Sequence, residues 1–184
     1  MTTSPGNTAT GNFLTDEEIA LSERYLNDGH VIAPVEDRAA LDRMRDHIAA
    51  LAARFLGIAP PKDPQSFLNC IGDHVQAAKL NDLRLAVING ANVEPWFREC
   101  YYAIGRKLLS AIVGNELVMQ RRVNLSIQLP DDDSSLLPVH ADVWSGDSPY
   151  EVVMWLPLVN CFGTKAMYLI CLLYTSDAAD DTPC

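Results

Sequence analysis

Val123 to Pro130 reads VNLSIQLP, and its alternation decides the fold expected of this chain. Val123, Leu125, Ile127 and Leu129 are apolar, while Asn124, Ser126 and Gln128 between them are polar. Successive side chains of an extended backbone point to opposite sides, so a period of two predicts a half-buried β-strand. Pro130 and the charge run Asp131, Asp132 and Asp133 then predict a solvated turn. Beyond it, Leu137–Trp144 reads as the next strand and Ser145–Pro149 as a loop. Glu151–Val159 is apolar enough to predict a strand buried on both faces, with Trp155 in the core.

Upstream of this stretch the period is helical. Leu41, Met44, Ile48, Leu51 and Phe55 recur at three- and four-residue steps, which places them on one stripe of a helix ending near Gly57. Thr15 followed by Glu18 has the pattern of a capping box, and Asn27-Asp28-Gly29 should close the helix it opens. A short strand is expected over His30–Val35. Pro60 and Pro61 break the chain, and helical segments are expected over Gln65–Ile71 and His74–Ile88, the latter closed by Asn89-Gly90. Pro95 suits the first turn of a further helix carrying Trp96, Tyr101, Ile104 and Leu108 toward Gly114. Helices first and strands afterwards predict the α+β class.

The chain has 184 residues, 48% hydrophobic and 21% charged, which allows one domain with a sizeable core. Its formal net charge of -10 repels phosphate backbones and anionic headgroups, so neither nucleic acid nor a membrane is expected as partner. Met1–Asn12 is polar and lacks a signal-peptide pattern, which predicts a disordered leader on a cytoplasmic protein. Five cysteines, odd in number and without a C-x-x-C pair, predict reduced thiols.

Within the expected second strand, His140 and Asp142 are separated by one residue. On a strand such residues share a face with Cα atoms roughly 6.5 to 7 Å apart, close enough for an imidazole and a carboxylate to meet on one ion. Two histidines and one carboxylate on one face of an octahedron suit a non-haem Fe(II). The same dipeptide spacing also arises by chance, and then the two side chains are a solvated pair. His30, His47 and His74 carry no such pattern. They read as a strand start, the charged side of a helix and a residue near a helix start.

The stretches "NLSIQLP" and "VHADVWSGDSPYEVVMWLPLVNCFGTKAMYL" resemble the Fe(II)- and 2-oxoglutarate-dependent oxygenases related to phytanoyl-CoA dioxygenase. The likeness is greatest to a bacterial branch labelled streptomycin-biosynthesis-like. The H-x-D is its specific part, helped by the W-S-G-x-S-P loop, and the resemblance runs from Phe13 to about Ile170. It implies a helical N-terminal part packed on a double-stranded β-helix, or jelly roll. It implies His140 and Asp142 as iron ligands, 2-oxoglutarate and dioxygen as cosubstrates, and hydroxylation of a small-molecule substrate. Gln128 and Asn124 are then candidates to contact 2-oxoglutarate, with hydrogen bonding inside a sheet as the alternative. Trp144 is a candidate wall of the substrate pocket, or a packing residue.

The family pattern also requires a distal histidine and, beyond it, an arginine for the cosubstrate. Neither residue type occurs after Asp142. The resemblance stops abruptly before "CLLYTSDAADD", Cys171–Asp181, whose codons can be written as a transposon adapter used in sequencing libraries. The expectation is therefore a domain portion over 13–170, an incomplete jelly roll, followed by adapter read-through over 171–184. As written, that fragment would be inactive. Two alternatives of other classes are a non-catalytic jelly-roll binding module and an acidic helical interaction domain.

Overall fold

The computed structural model describes residues 13–130 and 137–169. The expected leader, the aspartate turn and the tail from Cys171 lie outside these residues. The chain divides into two compact units, the first drawn from Met1–Pro34 and Lys107–Leu117, the second from Val35–Arg106 and Val118–Cys184.

In the first unit, α1 spans Asp16–Asp28 and begins with the expected capping box. The Glu18 amide donates to Thr15 Oγ1 at 3.3 Å, and the Thr15 amide donates to Glu18 Oε2 at 2.8 Å, so two orphan donors of the first turn are satisfied. Gly29 ends the helix at φ 70, a left-handed conformation that costs a residue without Cβ nothing. No α1 residue is buried. The strand expected over His30–Val35 does not form, since no ladder pairs it among the described residues and the His30 ring turns back to the Asp28 carbonyl at 3.0 Å.

The second unit is built on α2 (Arg38–Leu56), α3 (Pro64–Asn69), α4 (Ala77–Asn92) and α5 (Pro95–Ala103). Helix α2 buries Leu41, Met44, Ile48 and Leu51, the stripe its periodicity predicts, while Phe55 stays 38% exposed at the end. Leu80, Leu83, Val87 and Ala91 of α4 and Phe97 of α5 complete the core, with Met44, Leu83 and Val87 fully enclosed. Each such side chain contributes about 1.5–3 kcal/mol on burial.

Helix boundaries differ from expectation: α3 ends at Asn69 rather than Ile71, and α4 starts at Ala77 rather than His74. Asn89-Gly90 lies inside α4. A Cβ on Gly90 would come 2.6 Å from Leu51 Cδ2, so this glycine serves the close approach of α4 to α2. The helix starting at Pro95 ends at Ala103, and α6 (Arg106–Val113) follows as a separate element. Gly105 between them leaves room for the Met154 sulfur, which a Cβ would meet at 2.8 Å.

The α+β expectation is overturned, because no β-strand forms among the described residues and the architecture there is helical. The alternation is nonetheless visible in burial. Val123 is buried, Leu125, Ile127 and Leu129 are half-buried against the helical core, and Asn124, Ser126 and Gln128 are exposed. What is missing is a neighbouring strand, and helix side chains take its place as hydrogen-bond partners. The Asn92 side chain both donates to the Val123 carbonyl, at 2.9 Å, and accepts from the Val123 amide, at 2.8 Å. Arg84 donates to the Ile127 carbonyl at 2.5 Å, and Arg98 to the Met119 and Gln120 carbonyls at 2.6 and 3.0 Å.

The segment Glu151–Val159 is held in the same way. The Tyr101 hydroxyl donates to the Met154 carbonyl, and the Asn160 amide donates to Asn69 Oδ1 at 2.9 Å. It buries one face only. Val152, Met154, Leu156 and Leu158 turn inward, whereas Val153 is 62% and Trp155 46% exposed, against the expectation that Trp155 is core.

Candidate metal site

His140 and Asp142 do not sit on a strand. Asp142 opens a short 3-10 turn, Asp142–Ser145, which Gly146 ends at φ 100. The turn is closed by the Trp144 amide donating to the Ala141 carbonyl at 2.9 Å and the Asp147 amide to the Asp142 carbonyl at 3.3 Å. The 3-10 turn thus begins at the aspartate of the motif and runs into the first two residues of the W-S-G-D-S-P sequence.

The turn brings the two side chains to one place. His140 Nε2 lies 3.6 Å from Asp142 Oδ1, and His140 Nδ1 lies 2.7 Å from the Pro138 carbonyl oxygen. A carbonyl only accepts, so this contact assigns the proton to Nδ1. In the neutral ring Nε2 then carries a lone pair, and it faces a carboxylate oxygen that also carries lone pairs. Two such atoms attract a proton or a cation between them. The 3.6 Å separation is shorter than the roughly 4.2 Å that two metal bonds of about 2.1 Å span, so one first-row ion can touch both. The side chains are 44% and 46% exposed, and a plain ion pair at such exposure contributes little stability.

Asn124 and Gln128 are exposed on the extended segment, and neither makes a hydrogen bond to His140 or Asp142 among the described residues. Trp144 is 62% exposed. No group of three or more His, Cys, Asp or Glu side chains suited to a metal occurs among the described residues. His140 and Asp142 could therefore hold an ion as two ligands, and no third stands beside them among the described residues. Cys70, Cys100 and Cys161 are free thiols.

Comparison with models of known protein families, with curated proteins and with solved structures finds no match. No helix among the described residues is long and apolar enough to cross a membrane.

Sequence reasoning missed His47. It was expected on the charged side of a helix, yet its ring packs edge-on against Trp96 at 5.1 Å, and its Nε2 is buried without a partner among the described residues. Arg43 lies over the other ring of this cluster, 3.8 Å from the Trp96 centroid. The signal was available, since His47 precedes the buried Ile48 and follows Met44 by three residues.

Proposed function

We propose that His140 and Asp142 are two protein ligands of a non-haem Fe(II), and that the chain serves a 2-oxoglutarate-dependent oxygenase acting on a small molecule. The observation that carries this reading is the hydrogen bond from His140 Nδ1 to the Pro138 carbonyl. It orients the imidazole and leaves Nε2 free to coordinate, the outer contact that metal-binding histidines ordinarily make. Asp142 supplies the neighbouring carboxylate oxygen, and the Asp142–Ser145 turn fixes its distance. Fe(II) with 2-oxoglutarate supplies the oxidising power for hydroxylating a C–H bond, with succinate and carbon dioxide as coproducts. The exposed carboxamides of Asn124 and Gln128 are the proposed contacts to that cosubstrate, and Trp144 the proposed apolar surface for the substrate.

The test begins with binding, because the reading assigns metal affinity to these two residues. Anaerobic titration with Fe(II), or with Co(II) as a spectroscopic probe, should show a saturable site and shift the His140 ring signals. His140→Ala and Asp142→Ala should each weaken it at least tenfold, and His30→Ala should not. Equal metal uptake by all three variants sinks the reading. Fe(II)-dependent release of succinate from 2-oxoglutarate would then establish the oxygenase half.

The helical core favours a second reading, an acidic helical domain that binds a partner. Val153 and Trp155, outward on a segment without a strand neighbour among the described residues, are the surface it would use. Metal binding lost in both ligand variants separates the two.

A further inference from the structure

Helix α2 carries Arg38, Leu41 and Arg45 on one face, at steps of three and four residues. Opposite them run Pro157, Leu158, Val159 and Asn160, and Gln65 of α3 closes one end. Between these groups lies a cleft of about 170 Å³, lined by two arginines, a glutamine, an asparagine and the apolar residues Leu41, Pro157, Leu158 and Val159, with no acidic residue among its lining.

The acids stand behind the arginines. Asp42 Oδ1 accepts from Arg38 Nε at 3.1 Å and is ion-paired with Arg45 Nη2 at 3.0 Å, so one carboxylate neighbours both guanidinium groups. Asp46 is 3.7 Å from Arg45 Nη2, and Asp63 lies within its field. Asp42 and Asp46 are 41% and 57% exposed, where water and salt weaken their reach. Arg45 is different, with a side chain only 14% exposed and an Nε that is buried without an acceptor among the described residues. Gln65 Nε2 reaches Asn160 Oδ1 at only 3.4 Å, a long bond that a better acceptor would replace.

We propose that this cleft binds a small carboxylate carrying a short apolar stem. The arginines and carboxamides supply planar N–H donors that match a carboxylate, and Leu41, Pro157, Leu158 and Val159 receive the stem. A cavity of roughly 150 Å³ holds a benzene ring, so the ligand has about six non-hydrogen atoms. This inference does not rest on the metal reading.

Butyrate has that size and chemistry, and it is the probe for an NMR titration of the full 184-residue chain at low salt. Saturable shifts are expected at Leu41, Arg45, Leu158 and Val159. Butyramide, the neutral isostere, and inorganic phosphate, an anion without a stem, should bind at least tenfold more weakly. Asn160→Asp places a carboxylate in the cleft while keeping the backbone bond to Asn69, and should weaken butyrate at least tenfold. Arg38→Gln should do the same, with an unchanged Val87 signal reporting an intact core. No saturation, equal binding of butyramide, or unchanged affinity in both variants overturns the proposal. Phosphate matching butyrate also overturns it, leaving an adventitious ion only.

Discussion

The helices α2 to α5 and the extended segments around Val123–Leu129 and Glu151–Val159 each bury one face against the same core. They differ in where their backbones find hydrogen-bond partners. A helix satisfies its own N–H and C=O groups within the segment, so its packing can be purely apolar. An extended segment cannot, and here Asn92, Arg84, Arg98, Tyr101 and Asn69 lend side chains to part of its backbone. The outer face stays apolar in places and uncovered, as Val153 and Trp155 show. The helical part is stabilised by volume filled, whereas the extended part depends on a few individual bonds.

The sharpest way to break that contrast is to cut volume in each part. Leu83→Ala removes a fully enclosed side chain and should destabilise the second unit by about 2–5 kcal/mol, read by chemical denaturation followed through helical circular dichroism. Val153→Ala, on the outer face of the extended segment, should change stability by less than about 0.5 kcal/mol. Similar losses from both would show that the extended segment is packed on two faces.

A second substitution attacks a single bond pair. Asn92→Ala removes donor and acceptor from Val123 at once, leaving a buried backbone amide without its partner, and should cost about 1–3 kcal/mol. Hydrogen exchange should accelerate at the Val123 amide and leave Leu83 unaffected. Uniform acceleration across the core would mean that Asn92 supports the helices and that the extended segment is incidental to it.

The same contrast explains what the sequence allowed one to read. Helix ends were legible because Thr15, Glu18, Gly29 and Gly57 act through local chemistry, and the α2 stripe because 3.6-residue spacing fixes a face. The one-sided burial of Val123–Leu129 was legible for the same reason. Its partner was not, since alternation states which side is buried and says nothing about what pairs with the backbone. The Asn92 and Arg84 side chains that pair with it lie 31 and 43 residues away. Asn89-Gly90 misled because glycine serves turns and close helix contacts alike, and only the neighbour Leu51 tells them apart. For the candidate metal site, the spacing of His140 and Asp142 was readable, but the 3-10 turn that joins them and the Pro138 contact were not.

The smallest expected effect belongs to α1, which buries no residue and so tests local chemistry without a core. Glu18 is held below the ordinary carboxylate value of 4.5, first by the Thr15 backbone N–H and then by the Thr15 hydroxyl. A carboxyl whose folded value is depressed stabilises the folded form above its unfolded value and loses that contribution as pH falls through the folded one. The first turn of α1 should therefore fray on acidification below about pH 4.5, seen as faster exchange at the Glu18 and Ile19 amides. Thr15→Ala should fray the first turn at neutral pH and weaken the pH dependence without abolishing it, because the hydroxyl is lost while the backbone N–H at position 15 still donates to Glu18. Glu18→Gln should abolish the pH dependence, yet retain most of the cap, since a carboxamide oxygen still accepts from the Thr15 amide. If α1 kept its full pH response in Glu18→Gln, the acid effect would have to arise at a group other than Glu18.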